Sequence, residues 1–244
     1  MLLNVRNLYF GYKPGTLLFR NINLSVEKGK IIALAGESGC GKSTLLNIIY
    51  GLFDWQSGEI YLEDERLFGP KGNIVPGELG MKLVSQNYDL MPYLTVAENI
   101  GKFISNTNLS EKKQKIQELL QVVGLEDYAH VLPKNLSGGQ QQRVAIIRSI
   151  ALRPRLLLLD EITSALDPVL VNEVLSTVRD LKNDGMTMVL ATHEMGFAKQ
   201  VADEVCYLEA GQIVERGSAA QIIEEPRDKR TRDFLKRVHE AGRL

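Results

Sequence analysis

The residues from Gly36 to Thr44 read GESGCGKST, a spacing suited to the binding of phosphate. The pattern is a glycine, four residues and then Gly-Lys-Ser, and it lies between an apolar run, IIALA, and a segment with helical character. Gly36, Gly39 and Gly41 allow backbone amides to wrap around phosphate oxygens, and the helix that follows directs its positive end at them. The pattern therefore predicts a site for the phosphates of a nucleotide.

Individual residues of this loop have distinct expected roles. Lys42 reaches the β- and γ-phosphates, and the Ser43 hydroxyl can bind Mg²⁺. Cys40 occupies a variable position and is expected to contribute its amide, with a redox role as the alternative. The residues expected at the phosphates are Gly36, Glu37, Ser38, Gly39, Cys40, Gly41, Lys42, Ser43 and Thr44.

Two adjacent carboxylates, Asp160 and Glu161, follow the apolar run RLLLL. Such a run predicts a buried strand of a parallel sheet, and ligands bind at the carboxyl edge of such a sheet. We expect Asp160 to hold Mg²⁺ and Glu161 to accept a proton from the attacking water. Without the phosphate loop, the same pair would indicate two solvated acids at a strand end.

A third segment starts at Asn135, reads NLSGGQQQR and predicts the beginning of a helix. Ser137 and Gln140 have the spacing of a capping box. Gly138 and Gly139 directly follow the cap, although each glycine costs about 1 kcal/mol relative to alanine inside a helix. Bare backbone at a helix mouth suits the close approach of a phosphate, whereas the alternative role for Ser137 is that of a cap alone.

The phosphate loop, LSGGQ and LLLLDE occur in this order, and together they resemble the nucleotide-binding subunit of an ATP-binding cassette (ABC) transporter. The resemblance covers essentially the whole chain. It implies an α/β fold with a P-loop NTPase (RecA-like) core, an antiparallel β subdomain and an inserted helical subdomain. It also implies ATP and Mg²⁺ as ligands and ATP hydrolysis coupled to transport.

The resemblance assigns roles to residues outside these three segments. Tyr12 matches the aromatic residue that stacks on adenine, with Tyr9 or Phe10 as the alternative ring. Gln86 in LVSQNYD matches a glutamine that senses Mg²⁺ and the attacking water, and His193 in ATHEMG matches a histidine that contacts the γ-phosphate. Taken singly, Gln86 resembles any surface glutamine, and a histidine that closes a strand is more often a core residue.

A second subunit, in a homodimer, is part of what the resemblance implies. Its LSGGQ helix would cover the γ-phosphate bound by the first subunit, so that two ATP molecules lie between the chains. The residues implied at the partner's nucleotide are Ser137, Gly138, Gly139, Gln140 and, in SALDP, Asp167. The implied Mg²⁺ ligands are Ser43, Gln86 and Asp160, and the implied catalytic residues are Lys42, Gln86, Glu161 and His193.

The C-terminal half narrows the resemblance within the family. TSALDP, GMTMVLATHEMGFAKQVADEV and KRTRDFLKRV resemble the ATPases of bacterial polar amino-acid uptake systems. Such an ATPase works with integral membrane permease subunits and a solute-binding protein, at the cytoplasmic face of the inner membrane. The alternative is the ATPase of an exporter, a lipoprotein-release complex or a cell-division complex.

Ile162 is a departure from the family pattern, because many members carry proline after the catalytic glutamate. We expect activity to survive, since both acids remain.

DNA-repair relatives insert coiled coils or zinc sites between the nucleotide motifs, whereas the stretch from Gln86 to Leu136 holds a compact helical segment without a Cys pair. A regulatory module that does not hydrolyse ATP is disfavoured by the presence of Glu161 and His193.

Composition sets outer limits on the function. Lys+Arg 29 against Asp+Glu 30 gives a formal net charge of -1, so no overall basic field favours nucleic acid. The two cysteines are too few for a disulfide framework and the N-terminus lacks a secretion signal, which predicts a reducing compartment. Every apolar run is shorter than the roughly 20 residues of a membrane span, so if the protein works at a membrane we expect another chain to cross it.

The sequence predicts alternating strands and helices, and these elements must position the site residues. Residues 1–86 and 152–244 are expected to form the RecA-like core with the β subdomain, and residues 87–151 the helical subdomain. In LSEKKQKIQELLQVVGL we expect a helix with Ser110 as N-cap and Gly124 just beyond its end. The later pattern of strand, helix and strand indicates a mainly parallel sheet, and the charged C-terminal tail is expected to be a solvated helix.

Overall fold

The computed structural model describes residues 1–13, 15–77, 80–85, 88–163, 166 and 168–240, the side chains of 168 and 169 excepted. The strands are β1 (Leu3–Phe10), β2 (Phe19–Val26), β3 (Ile31–Ala35), β4 (Ser57–Leu62), β5 (Glu65–Arg66), β6 (Met81–Val84), β7 (Leu156–Asp160), β8 (Thr187–Thr192), β9 (Glu204–Glu209) and β10 (Gln212–Ser218). The α-helices are α1 (Lys42–Ile49), α2 (Val96–Gly101), α3 (Leu109–Val122), α4 (Gly138–Ile150), α5 (Pro168–Asn183), α6 (Met195–Val201), α7 (Ala219–Glu224) and α8 (Lys229–Glu240).

The larger sheet has the strand order β10-β9-β3-β8-β7-β6. Neighbouring strands from β9 to β6 are parallel, and β10 joins the edge antiparallel to β9. The central strands are buried because their apolar runs face a layer on each side. In β3, Ile31 and Ala33 pack with side chains of α4 to α8, whereas Ile32 and Leu34 pack with α1 and the smaller sheet. The predicted α/β fold with a mainly parallel sheet is confirmed.

The smaller sheet is antiparallel, with the order β2-β1-β4-β5. Leu3 of β1 lies opposite Val26 of β2 and Leu62 of β4. Buried residues of β1 and β2 belong to the same apolar cluster as Ile32 and Leu34 of the larger sheet. The predicted antiparallel element beside the nucleotide core is therefore confirmed, and it covers the face of the larger sheet that α1 also covers.

The helices α2, α3 and α4 share an apolar cluster of their own, which includes Ile100, Leu120 and Val144. The predicted helix in the middle of the chain is present, with Gly124 directly after its C-cap. Its N-cap is Asn108 and not Ser110, because the Asn108 side chain accepts hydrogen bonds from the backbone of Ser110 and Glu111. Amide and hydroxyl side chains cap equally well, so the sequence alone did not discriminate between them. The division at 86/87 and 151/152 stays a prediction.

The C-terminal tail forms the predicted helix, α8, but the helix is not solvated on all sides. Phe234, Leu235 and Val238 are buried and belong to the cluster on one face of the larger sheet. Phe234 stacks on Tyr207 of β9, with ring centroids 4.9 Å apart and an interplanar angle of 27°. The charged composition of the tail concealed this apolar stripe of helical period.

Across the ranges described above, none of the helices has both the length and the apolar character needed to cross a membrane.

Candidate active site

The phosphate loop leaves the carboxyl end of β3, a central strand, and runs into α1. Gly41 is the N-cap of α1, so the backbone N–H groups of the first helical turn point along the loop without intrahelical acceptors. Gly39 has φ +83, a backbone conformation that side chains disfavour, and no atom lies within 4 Å of the Cβ it lacks. Glu37, Ser38 and Gly39 are exposed, which leaves the loop open to a ligand.

Lys42 is buried, with 4% of its surface exposed, and its ammonium group lies among oxygen atoms of the site. Nζ donates hydrogen bonds to the carbonyl oxygens of Gly36 at 2.9 Å and Glu37 at 3.1 Å. It also lies 3.4 Å from Oε1 of Glu161. A buried cation needs such partners, and phosphate oxygens are of the same chemical kind as the oxygens that it contacts.

Ser43 and Asp160 are joined by a hydrogen bond from Ser43 Oγ to Asp160 Oδ1 at 2.8 Å. Asp160 is the last residue of β7, while Ser43 lies in the first turn of α1, which packs against β7. Burial raises the pKa of Asp160, and the charge of Glu161 raises it further, against the lowering effects of the Ser43 hydrogen bond and the Lys42 charge. The predicted pair of oxygen ligands is therefore brought together.

Glu161 follows β7 and has φ 47, in the left-handed region that a glutamate rarely adopts. Its backbone N–H donates to the Ala191 carbonyl oxygen at 3.0 Å, which ties it to β8. Its carboxylate reaches Lys42 through Oε1 and lies 3.1 Å from His193 Nδ1 through Oε2. Such backbone strain is concentrated at functional sites, and residue type and spacing gave no signal of it.

His193 directly follows β8, whose neighbours in the sheet are β3 and β7. Besides Glu161, it contacts Oε1 of Glu194 through Nε2 at 3.4 Å. Its side chain is 19% exposed, so it is not a fully enclosed core histidine. Both ring nitrogens face carboxylates of the site, which favours the expectation based on its position over the alternative of a core residue.

Tyr12 is the most exposed of the three candidate adenine-stacking rings, since Tyr9 is half-buried and Phe10 is buried. It is 62% exposed, whereas Phe10 is 3% exposed and belongs to the core. The Tyr12 hydroxyl and Thr44 Oγ1 form a hydrogen bond at 2.8 Å, which links the ring to the end of the phosphate loop. Edge-on contacts with Phe10 and Phe53, at 5.0 and 5.7 Å between centroids, fix its orientation.

Cys40 does not have the properties of a redox cysteine. Burial raises the pKa of its thiol despite the nearby Lys42 charge, so the thiol stays protonated near neutral pH. The other cysteine, Cys206, is equally unsuited to redox chemistry, because burial raises the pKa of its thiol to about 12. The structure thus favours the expectation that Cys40 contributes its backbone.

Ser137 begins α4 as predicted, with the complete capping box. Its hydroxyl accepts from the Gln140 N–H at 3.2 Å, and its own N–H donates to Gln140 Oε1 at 2.9 Å. A Cβ on Gly139 would lie 2.9 Å from Leu170 Cβ of α5, so this glycine is required by packing within the chain. At Gly138 the nearest atoms are the ends of two side chains, at 3.2 and 3.4 Å.

This result corrects part of the interpretation of LSGGQ. Bare backbone at Gly139 is explained by the close approach of α5 and does not by itself require a phosphate from another chain. The half-exposed Gly138 and the exposed Ser137 stay available to such a ligand. Two other predicted residues, Gln86 and Asp167, lie outside the described residues.

Arg237 is near the site and was missed by sequence reasoning. Its guanidinium Nη2 donates to Glu37 Oε1 of the phosphate loop at 2.6 Å. The two residues lie at opposite ends of the chain, and Arg237 was part of a tail that read as solvated. The single available signal was the spacing of Phe234, Leu235 and Val238, which predicts that one face of α8 is buried.

Comparison with known proteins agrees with the nucleotide-binding geometry of the site. The chain matches the ABC transporter family over residues 19–164. It is 41% identical over 244 residues to the L-cystine import ATP-binding protein TcyC of Bacillus subtilis (strain 168), and this alignment covers 97% of this chain and 98% of that protein. It is 40% identical over 242 residues to the glutamine transport ATP-binding protein GlnQ of Escherichia coli (strain K12), and this alignment covers 97% of this chain and 100% of that protein. A solved dimeric ATP-binding cassette, in a post-hydrolysis state bound to ADP and Pi, has a TM-score of 0.77 and 31% identity, over 89% of this chain and 99% of that chain.

Proposed function

This chain belongs to the ABC transporter family and is one of its ATPases, and from that premise we propose that it powers the uptake of polar amino acids. The support for this substrate class is similarity to transport proteins for cystine and glutamine at about 40% identity over nearly the whole chain. We propose that ATP binding closes a dimer of two such chains and that hydrolysis reopens it.

ATP is the substrate. Tyr12 would stack on adenine, and backbone N–H groups from Gly36 to Thr44 would surround the phosphates. Lys42 would exchange contacts with the loop carbonyls and Glu161 for contacts with β- and γ-phosphate oxygens. The hydrogen bond between Tyr12 and Thr44 supports this arrangement, because it connects the two ends of the nucleotide site.

Glu161 and His193 would act on the attacking water. Glu161 would accept its proton, since the carboxylate is fixed between Lys42 and His193 at the edge of the sheet. His193 would hold the second carboxylate oxygen and contact the γ-phosphate. Movement of Lys42 onto the phosphates would end its contact with Glu161 Oε1, and the contact with His193 would keep the carboxylate in place.

The residues fit Mg²⁺. A hydroxyl oxygen of Ser43 and a carboxylate oxygen of Asp160 lie side by side next to the phosphate loop, and Mg²⁺ prefers such hard oxygen ligands. Burial raises the pKa of Asp160, an unfavourable environment for its charge that a cation would relieve. When bound, Mg²⁺ neutralises charge on the transferred phosphoryl group. Gln86 is the third proposed ligand.

A second copy of the chain would complete each site. Its Ser137, Gly138, Gly139 and Gln140 would cover the γ-phosphate with the N-terminal end of α4, and Asp167 would lie at the same interface. Helix N-termini bind anions through free N–H groups and the helix dipole, and α4 carries no acidic side chain in its first turn. The solved dimeric relative with ADP and Pi supports a dimer as the working unit.

The remaining partners follow from the proposed transport. Integral membrane permease subunits would carry the solute, a solute-binding protein would deliver it, and this chain would lie at the cytoplasmic face of the membrane. The amino acid itself would be selected by those partners, because the described site holds groups for a nucleotide.

One observation carries this proposal. Asp160, Glu161 and His193 lie at the carboxyl ends of β7 and β8, and Lys42 and Ser43 begin α1, which the phosphate loop joins to the adjacent strand β3. These five residues meet through contacts of 2.8 to 3.4 Å. The carboxyl edge of a parallel sheet is where α/β proteins bind their ligands.

Glu161→Gln tests the catalytic part of the proposal. The variant should bind ATP nearly as well as the parent and hydrolyse it about 10²- to 10⁴-fold more slowly, because the amide cannot accept a proton. ATPase rate and affinity for a fluorescent ATP analogue would be measured, with the exposed Glu118→Gln as a control. Near-parental turnover would remove Glu161 from the mechanism.

Copurification and reconstitution test the transport part. Permease subunits captured with this chain would be placed in liposomes, and the ATPase rate measured with the solute-binding protein loaded with arginine, glutamine or cystine, or left empty. Stimulation by a polar amino acid is expected. Stimulation by a lipoprotein or a peptide alone would contradict amino-acid uptake and leave the ATPase assignment intact.

A further inference from the structure

Glu37 places a carboxylate in the phosphate loop, and its charge has the same sign as that of the proposed ligand. It is exposed and directly follows the buried Gly36. Its own carbonyl oxygen accepts a hydrogen bond from Lys42 Nζ at 3.1 Å, so its backbone is in contact with the phosphate-binding cation. A carboxylate that turned toward Lys42 would compete with phosphate oxygens for the same ammonium group.

Arg237 holds this carboxylate from the C-terminal helix. Nη2 of Arg237 and Oε1 of Glu37 are 2.6 Å apart, a short charge-assisted hydrogen bond. The helix that carries Arg237 is fixed, because Phe234, one turn earlier, stacks on Tyr207 and Val238 is buried beside it. The position of the guanidinium is therefore set by the packing of α8 on the sheet.

The contact lies in a cleft beside the phosphate loop. A cleft of about 190 Å³ is lined by Gly36, Glu37, Ser38 and His193 on one side and by Phe234 and Arg237 on the other. The bond from Arg237 draws the Glu37 carboxylate toward α8. Arg237 and Glu37 form an ion pair across this cleft.

We propose that Arg237 is a positioning residue for nucleotide binding: it holds the Glu37 carboxylate against α8, away from Lys42 and the phosphates. This inference rests on the proposed binding of ATP phosphates to residues 36–44. Without Arg237, Glu37 is free to turn toward Lys42, where it competes with the phosphates. The docking of α8 is thereby coupled to ATP affinity.

The expected effect is modest and depends on salt. The side chains of Arg237 and Glu37 are 53% and 59% exposed, and exposed ion pairs of this kind change equilibria by about two- to fivefold. Exposed charges are screened when the Debye length falls, from about 10 Å at 0.1 M salt to about 3 Å at 1 M. A loss of packing of α8 would show no such salt dependence.

A double-mutant cycle on the full chain tests the proposal, with affinity for a fluorescent ATP analogue as the measurement. Arg237→Ala should weaken binding about threefold in the parent at low salt and by much less in a Glu37→Gln background, because a neutral amide does not compete for Lys42. Arg237→Lys should retain most of the affinity. Lys236→Ala is the matched control, since it removes a positive charge from the neighbouring exposed position of α8.

Three outcomes would overturn the proposal. An equal loss for Arg237→Ala in both backgrounds would assign Arg237 a long-range charge effect or a packing role, and a fall in melting temperature would identify the latter. A loss for Lys236→Ala equal to that for Arg237→Ala would contradict a specific contact. Unchanged affinity of Arg237→Ala at low salt would show that Arg237 has no positioning role. If Lys42→Ala then also bound as tightly as the parent, the proposed phosphate site would fail too, whereas weak binding by Lys42→Ala confines the failure to Arg237.

Discussion

At the scale of single residues, the active-site carboxylates are held in states that the rest of the fold does not favour. Glu161 has a left-handed backbone, which costs about 1–3 kcal/mol in a residue other than glycine. Asp160 is half-buried next to that second carboxylate, and desolvation together with the charge of Glu161 raises its pKa. Both features lower the stability of the folded chain. They are explained if the two side chains act on a bound nucleotide. Replacing such a carboxylate should therefore increase stability while reducing activity.

Asp160→Asn should raise the melting temperature at pH 7.5 while abolishing most ATPase activity. Because the folded pKa of Asp160 lies above its unfolded value, its contribution is neutral below the unfolded pKa and becomes destabilising as pH rises through the folded pKa. Asparagine retains an oxygen for the Ser43 hydroxyl and has no such ionisation. The stability gain should therefore shrink as the pH is lowered toward the ordinary pKa of a carboxylate.

Thermal unfolding at a series of pH values between about 4 and 7.5, which includes the ordinary pKa range of a carboxylate, measures this prediction. Asp180→Asn, which removes an exposed carboxylate from α5, is the control and should change the melting temperature little at any pH. If Asp160→Asn were less stable than the parent at pH 7.5, or more stable by the same amount throughout, the ionisation of Asp160 would not be the cause.

At the scale of elements, the two glycines of LSGGQ have different reasons to be glycine. A Cβ at Gly139 would meet the Cβ of Leu170 in α5, an atom close to the backbone that cannot move aside. A Cβ at Gly138 would meet the flexible ends of Leu166 and Tyr88. We expect Gly139→Ala to be less stable than Gly138→Ala by about 1–3 kcal/mol, the usual effect of overpacking.

Urea denaturation of both variants gives this difference, and it also separates packing from function. Gly138→Ala should keep the fold, since alanine favours a helix over glycine by up to about 1 kcal/mol. If the proposed partner phosphate approaches α4 at Gly138, this well-folded variant should still show weaker ATP-dependent dimerisation. Equal stability of the two variants would mean that α5 moves aside without cost.

Ile162 connects the active-site strand to the core. It is 4% exposed and packs with residues of β3, β7, α5 and α6, although it directly follows Glu161. Ile162→Pro removes part of this buried side chain and should lower the free energy of unfolding by about 1–3 kcal/mol. The ATPase rate should change by less than about tenfold, because the turn leaves both acids in place.

Ile162→Val is the matched control for this prediction, since it removes one methylene group and should cost about 0.5–1.5 kcal/mol. Urea denaturation and ATPase rate would be measured on the three proteins. A proline variant as stable as the parent would show that proline fills the same space, and a collapse of activity without a loss of stability would place a functional requirement on the Ile162 backbone.

Local patterns explain which of these elements could be predicted. The phosphate loop, the capping box at Ser137 and the buried runs of β3, β7 and β8 depend on residues a few positions apart, so the sequence contains the whole signal. Contacts between distant segments leave no such signal. The approach of Leu170 to Gly139 and the bond from Arg237 to Glu37 both depend on how helices dock, and the φ of Glu161 is imposed by its ties to β8 and to Lys42.

At the scale of the whole molecule, the two halves of the proposed site are carried by different layers. The helix α1, which follows the phosphate loop, packs against the central strands β7 and β8, whereas α4 packs against α2, α5 and the edge strand β6. An arrangement in which each chain supplies one half to the other gives a two-fold interface with two equal sites. A single chain would then bind ATP but hydrolyse it slowly.

Mixing two inactive variants tests this shared site. Lys42→Ala damages the half with the phosphate loop, and Gly138→Asp places a negative charge at the mouth of α4 without the collision expected at Gly139. A heterodimer then has one intact site, made of Lys42 from one chain and Gly138 from the other, and one site with both defects. At equal amounts, heterodimers are half of all dimers, so the ATPase rate should recover to about a quarter of the parental rate if sites are independent. Light scattering should detect an ATP-dependent dimer in the mixture, and a mixture no more active than the mean of its components would mean that each chain forms its site alone or that both sites must be intact.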